Sequence, residues 1–358
     1  MNNLYKIHKK HRKYNAYKLF TIVVIIFIML IFSSSCKKEG MTKEQNNEAK
    51  SKTLFAMDTV INFTVYTKDD TLLENMETKV YSLEKLLSVT DLDSEIYNLN
   101  LGSRDNMNTE MIKLIEKATE LCEKSDGDLD ITLYPVLKAW GFTQDEYNIP
   151  TDDELKALLA LVDYKKVEIK GDKVSMPQGM KIDLGSVTKG YTGDVLRDIM
   201  IENGVTSAII NLGGNVQTLG TKPDASPWRI GIQNPLGKDY LGIIEVSDQA
   251  VITSGGYERY FEDDEGNIYW HILDPKTGKP TNNGLISVTV VGKHGFLCDG
   301  LSTALFVKGL DEAIEFWKEN QNFEAIFITD DNTIYITEGI KDDFTLTVDT
   351  FNIEVITL

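Results

Sequence analysis

The chain has 358 residues, 26% of them charged and 42% hydrophobic, which is an ordinary globular balance. Its formal charge of −18 argues against a polyanion-binding surface, so nucleic acid is not an expected partner. The three cysteines, at 36, 122 and 298, include no CxxC pair, which excludes a zinc ribbon and a disulfide framework.

The first 35 residues differ from the rest. Lys6, Lys9, Lys10, Arg12, Lys13 and Lys18 form a basic head without an acidic residue, and Leu19–Phe32 is an apolar run interrupted only by Thr21. Ser33, Ser34, Ser35 and Cys36 follow. This order predicts a secretory signal peptide over 1–35. The run is short for a spanning helix, which needs about 20 apolar residues, although an uncleaved anchor is the alternative. Cys36 just after it resembles a bacterial lipobox, with Ser33 where leucine is usual. The expectation is export, with a lipid anchor on Cys36 holding the protein to the membrane outside the cytoplasm. Without residues 1–35 the body carries 31 basic against 55 acidic groups, a formal charge of −24. Cys122 and Cys298 then read either as buried apolar residues or as a single disulfide.

Residues 36–52 are polar and without periodicity, a flexible tether in front of a folded body over 53–358. Leu54–Thr67 alternates as a strand. Leu72, Leu73, Met76, Val80, Leu83 and Leu87 fall at helical spacing, and Met111–Cys122 repeats that pattern behind Asn108 or Thr109 as cap. A short helix is predicted at Asp153–Leu161, and a hairpin turning at Gly171-Asp172. Further strands are expected at Ser207–Asn211, Trp228–Ile232, Leu241–Val246, Ile268–Leu273, Ile286–Val291, Glu324–Ile328 and Thr333–Thr337. Helices are expected at Thr188–Glu202, Leu301–Val307 and Asp311–Glu319. Strands outnumber βαβ crossovers, which predicts an α+β fold with a mixed, largely antiparallel sheet and packed helices.

Three segments carry the chemistry. In Lys181–Asp194 (KIDLGSVTKGYTGD) an extended stretch runs through Gly185-Ser186 into a helix, whose positive end suits phosphate, with Lys189 as an added cation. Lys189 precedes Gly190 and no Ser or Thr follows it directly, so this is not a P-loop. Asp299 and Thr303 lie four residues apart, one turn on a helix face. They are either hard oxygen ligands of the kind Mg²⁺ prefers, or an N-cap and a back-bonded hydroxyl. His271 and His294 are the only histidines beyond the signal, so a histidine base would be one of them; His294 in Gly-Lys-His-Gly reads as a surface turn. Glycine clusters at Asn211–Asn215 and Thr253–Gly256 fit either tight turns or close approach to a ligand. No GxGxxG opens a βαβ unit and no GxSxG occurs, which leaves Rossmann binding and Ser-His-Asp hydrolysis without support.

The order of these segments, from about residue 54 to 340, resembles the FAD:protein FMN transferases, the ApbE family. The resemblance is carried by Met57-Asp-Thr59, Ser94–Asn100, Asp126–Phe142, Ile182–Asp194, Asn211–Asn215, Trp228–Pro235, Ala250–Tyr260, His271–Pro280 and Asp299–Gly309. It implies an ApbE-like, T-fold-related domain. It implies flavin contacts from Met57, Asp128, Leu129, Asp130, Asp183, Lys189 and Ile272, and His271 as base. It also implies a metal, expected to be Mg²⁺, on the carbonyl of Ser186 and the side chains of Asp299 and Thr303. Two positions depart from the family: Asp58 stands where glycine is usual, and Thr90 occupies the flavin-facing position where an aromatic is frequent. The reaction implied is transfer of FMN from FAD to a Ser/Thr hydroxyl of an acceptor flavoprotein, such as an FMN-binding domain of a membrane redox complex, with AMP released. Two alternatives share these residues: an FAD pyrophosphatase giving FMN and AMP, and a flavin-binding lipoprotein without catalysis.

Overall fold

The computed structural model describes residues 48–102, 106–143 and 146–358. The expected signal segment, Cys36 and most of the tether lie outside the described residues. In chain order the first half comprises β1 (Glu48–Ala56), β2 (Thr59–Thr67), α1 (Leu72–Leu87), α2 (Glu95–Leu99), α3 (Thr109–Lys124), α4 (Tyr134–Ala139), α5 (Asp152–Leu159), β3 (Glu168–Lys170), β4 (Lys173–Ser175) and α6 (Gly185–Glu202). Strands β5 (Ala208–Leu212), β6 (Asn215–Leu219), β7 (Trp228–Gln233), β8 (Tyr240–Val246), β9 (Ala250–Gly255), β10 (Tyr260–Glu262), β11 (Ile268–Trp270) and β12 (Leu285–Gly292) follow. Helices α7 (Gly295–Lys308) and α8 (Leu310–Asn320) precede β13 (Glu324–Thr329), β14 (Thr333–Thr337), β15 (Phe344–Leu346) and β16 (Asn352–Ile356).

Nine strands form one sheet in the order β1-β2-β5-β6-β9-β12-β13-β14-β16. Every neighbouring pair is antiparallel except β14 with β16, so the expected α+β, largely antiparallel architecture holds. The central strands are buried on both faces, and their sequences show it. In β13 the run Ala325-Ile-Phe-Ile328 is fully buried; Ala325 and Phe327 face the helices, while Ile326 and Ile328 face a three-stranded sheet ordered β15-β8-β7. Alternation of side chains across the pleat turns one apolar run into the contact surface of two layers. The three large side chains, Ile326, Phe327 and Ile328, each contribute about 1.5–3 kcal/mol by burial.

Differences from the sequence expectations have local causes. Pairing begins at Glu48, so the end of the predicted tether is already strand. The predicted strand Leu54–Thr67 is a hairpin: Met57 and Asp58 turn the chain with φ of 52° and 58°. A two-residue turn with both φ positive matches the twist of its strands. No glycine announces it, because aspartate tolerates the left-handed region. Strands β6 and β9 adjoin the two glycine clusters: β6 starts at Asn215 and β9 ends at Gly255. Gly213-Gly214 is the β5–β6 turn, and a Cβ on Gly213 would lie 2.0 Å from Thr59 Oγ1. Lys181–Leu184 joins no sheet. Instead Asn100 clamps it, donating from Nδ2 to the Ile182 carbonyl (2.8 Å) and accepting the Ile182 N–H on Oδ1 (2.7 Å). Cys122 and Cys298 are both free and buried, and burial raises both thiols, Cys122 to about 12.

Candidate active site

Helices α6 and α7 pack at glycine contact. A Cβ on Gly190 would lie 2.1 Å from the Gly295 carbonyl and 2.6 Å from Asp299 Cβ, so no side chain fits at that crossing. Asp194 of α6 ties down the start of α7, accepting the N–H groups of Gly295 (2.7 Å) and Phe296 (2.9 Å). Because α7 starts at Gly295, six residues ahead of expectation, Asp299 is not a cap but an interior helical residue on the same face as Thr303.

Helix α6 starts at Gly185, three residues ahead of the expected Thr188, which moves Lys189 into its second turn. Two of its leading N–H groups are already used: Gly185 donates to Asp183 Oδ1 (2.8 Å) and Val187 to the Leu184 carbonyl (2.9 Å). The positive helix end and Lys189 therefore remain for an anion, with fewer free donors than the sequence suggested. The Gly190 N–H, which helical geometry aims at the Ser186 carbonyl, reaches Asp299 Oδ2 at 2.7 Å. Asp299 Oδ1 accepts from Asn215 Nδ2 at 2.8 Å. Asp299 is 6% exposed, and burial pushes its carboxyl up to about 6 against the opposing pull of Lys189 and these donors.

His271 follows β11. Its N–H and its Nδ1 both meet the carbonyl of Arg259, each at 3.1 Å. With Nδ1 donating there, Nε2 carries the free lone pair. Burial holds the imidazole down to about 4, with the charges of Arg259 and Lys189 adding to the shift. The ring meets the edge of Phe142 at 6.4 Å, beside a stack in which Phe261 lies between Tyr147 (4.8 Å) and Tyr269 (5.1 Å). Asp183, raised by burial, also feels Arg259. The Glu258 carboxyl is raised by burial, lowered by Lys189 and raised again by Asp299. The charges of Lys189, His271, Arg259, Asp183, Asp299 and Glu258 thus act on one another within one neighbourhood. Glu258, Arg259, Asn215 and Ser254 were not assigned from the sequence; the segments Ala250–Tyr260 and Asn211–Asn215 contained them without marking their side chains.

Other predicted residues are engaged within the fold. Asp128, 3% exposed, is paired with Lys276 (2.8 Å) and Lys308 (2.6 Å). Asp130 accepts from Thr132 on Oδ1 (N 2.8 Å, Oγ1 2.6 Å) and from the Tyr164 N–H on Oδ2 (3.1 Å). Leu129 and Ile272 are core residues. Met57, at the β1–β2 turn, donates its N–H to Glu84 (2.6 Å) and accepts the Thr192 hydroxyl on Sδ (3.6 Å). Thr90 is exposed, its hydroxyl 3.2 Å from that of Ser88. Asp58 faces Arg259 at 4.0 Å, a solvent-screened pair.

The donor set suits a hard divalent cation. Asp299 is a buried carboxylate whose hydrogen-bond partners are the neutral N–H groups of Gly190 and Asn215, and Thr303 presents a hydroxyl one turn away. Among the described residues no cluster of three or more His, Cys, Asp or Glu side chains could hold a metal, so a site here draws on hydroxyl and carbonyl oxygens as well.

A sequence profile described as the ApbE family matches residues 57–327. An FAD:protein FMN transferase of Vibrio cholerae is 33% identical over 267 residues, 72% of this chain and 77% of that protein. One from Treponema pallidum is 31% identical over 291 residues, 75% of this chain and 80% of that protein. Among solved structures, the ApbE protein of Thermotoga maritima aligns with a TM-score of 0.78 at 31% identity, covering 83% of this chain and 99% of that one. The apo flavinyl transferase ApbE of Pseudomonas stutzeri aligns at 0.76 and 29%, covering 86% and 100%. With the profile spanning residues 57–327 and a relative 33% identical over 72% of the chain, this chain belongs to the ApbE family.

Proposed function

We propose that this chain transfers the FMN half of FAD to a Ser or Thr hydroxyl of an acceptor protein, releasing AMP, with Mg²⁺ at Asp299, Thr303 and the Ser186 carbonyl. The observation that carries this reading is the meeting of three parts: an oxygen-donor pair on α7, a cationic helix start with Lys189, and a histidine with a free Nε2. The acceptor oxygen forms a bond to the phosphorus of the FMN half, and the bond from that phosphorus to the AMP oxygen breaks. His271 Nε2 takes the hydroxyl proton. Lys189 and the positive end of α6 hold the pyrophosphate, which the acidic body would otherwise repel. When bound, the metal supplies charge neutralisation on the phosphate oxygens. Bound FAD brings negative charge to His271, opposing the depression caused by Arg259 and Lys189 and making the ring a stronger base.

Chromatography of FAD, FMN and AMP, with and without an FMN-binding acceptor domain, tests this reading. AMP release that needs the acceptor supports transfer. FMN and AMP released without it would make the chain a pyrophosphatase, and unconsumed FAD would make it a binder.

Asp58 places a carboxylate 4.0 Å from Arg259, and in this reading its charge opposes that of the FAD pyrophosphate. Asp58→Gly is expected to lower KM for FAD by a fewfold at low salt, in keeping with the roughly 0.2–1 kcal/mol of exposed charge pairs. The turn would also accept glycine at φ 58°. Steady-state titration with FAD checks it, and a raised KM would contradict it.

The basic head, apolar run and Cys36 support an exported, lipid-anchored enzyme acting on acceptor subunits of membrane redox complexes. Cys36→Ala is expected to move the protein from the membrane fraction to the soluble one and to abolish incorporation of labelled palmitate; unchanged labelling would contradict the anchor.

A further inference from the structure

The glycine-containing segments Asn211–Asn215 and Thr253–Gly256 have no part in the transfer described so far, yet each delivers one polar side chain to a candidate metal ligand. We propose that Asn215 and Ser254 are positioning residues that preset Asp299 and Thr303 for a divalent cation. Asn215 fixes the carboxylate, and Ser254 turns the Thr303 hydroxyl proton away from the cation. The proposal rests on the metal reading above.

Asn215 opens β6 directly after the Gly213-Gly214 turn, paired in register with Leu212. Asn211 Oδ1 accepts the Gly214 N–H at 2.7 Å, which locks that turn. Asn215 is 2% exposed, and its Nδ2 donates to Asp299 Oδ1 at 2.8 Å while the Gly190 N–H donates to Oδ2 at 2.7 Å. The plane of the group is thereby fixed from two directions, and the carboxylate, with about four lone-pair sites, keeps acceptor capacity for a cation. The two donors come from β6 and α6, so the carboxylate cannot rotate without losing a buried bond.

Proton counting defines the hydroxyl chain. Ser302 donates its single hydroxyl proton to the Asp299 carbonyl at 2.8 Å. The 2.7 Å contact between Ser254 and Ser302 then requires Ser254 as donor, and the 3.2 Å contact between Ser254 and Thr303 requires Thr303 as donor. That order leaves the Thr303 oxygen lone pairs for a cation. Ser254 is held in β9 by its pairing with Val288 of β12, so its hydroxyl is placed by the sheet rather than by a loop. Groups that orient metal ligands in this way typically change affinity by about 10–100-fold when removed.

Mn²⁺ binding to the full chain, purified in detergent without FAD, tests this through the electron paramagnetic resonance signal of the free ion. Asn215→Leu and Ser254→Ala are each expected to weaken Mn²⁺ binding by about 10–100-fold, and Ser254→Thr, which restores the hydroxyl, to recover most of it. In turnover both losses should raise the Mg²⁺ requirement far more than they lower kcat at saturating Mg²⁺. If Asp299→Ala loses Mn²⁺ while Asn215→Leu and Ser254→Ala keep wild-type affinity, the positioning role is overturned and the metal reading stands. If Asp299→Ala itself binds Mn²⁺ like the wild type, the metal reading falls and the proposal with it. Ser254→Ala removes one oxygen from a half-buried side chain, so it decides the question even where Asn215→Leu does not fold.

Discussion

Asp299→Ala is expected to cut FMN transfer by about a hundredfold or more at any Mg²⁺ concentration, because the charge stabilisation lost with a metal ligand amounts to several kcal/mol. The side chain is the one buried carboxylate on the face of α7 that meets α6, and its two hydrogen bonds are to neutral donors. Alanine also leaves the Gly190 N–H and Asn215 Nδ2 without an acceptor, at a cost of about 1–3 kcal/mol each if they stay buried and unpaired. Asp299→Asn separates the two effects, since it keeps the shape and one acceptor while removing the charge. A thermal melt close to that of the wild type, together with lost transfer, would assign the effect to ligation. Full activity in Asp299→Asn would remove Asp299 from the metal site.

His271→Ala is expected to lower kcat by about 10²–10⁴, the usual contribution of a positioned general base, with KM for FAD little changed. The pH dependence is more specific. Burial and the charges of Arg259 and Lys189 hold His271 down to about 4 against an ordinary value of 6.5. In the free enzyme the base therefore stays neutral well below pH 6.5, and the acid limb of kcat/KM attributable to it belongs near 4. In the FAD complex the pyrophosphate charge raises it, so the acid limb of kcat should lie above that of kcat/KM. The stability sign follows from the same shift. Between 6.5 and 4 the unfolded chain binds this proton and the folded chain does not, so stability falls as pH drops through that window. A kcat/KM limb at 6.5 that disappears in His271→Ala would contradict the depressed value.

Much of the fold was legible because it rests on local periodicity. The spacing Leu72, Leu73, Met76, Val80, Leu83, Leu87 gave α1, and all six residues are buried in it. Of the two cap positions the spacing allowed, Asn108 and Thr109, Asn108 caps α3. The Met57–Asp58 turn carries no glycine, and its trace is a change of phase: the buried positions switch from Leu54 and Ala56 to Ile61 and Phe63, which puts both arms of the hairpin on one buried face. In the site, the Asp299–Thr303 spacing was readable within one helix. The partners of that pair were not, since Asn215 lies 84 residues and Gly190 109 residues from Asp299. The partners of Asp128 were equally out of reach of local reading, since Lys276 and Lys308 lie 148 and 180 residues downstream.

Intact-protein mass spectrometry of an FMN-binding acceptor domain, incubated with the enzyme and FAD in the presence and absence of Mg²⁺, tests the central claim most directly. The account predicts that the acceptor gains the mass of one FMN less water, that the gain needs Mg²⁺, and that it is lost when the acceptor's Ser or Thr is replaced by alanine. An acceptor of unchanged mass beside free FMN and AMP would contradict it.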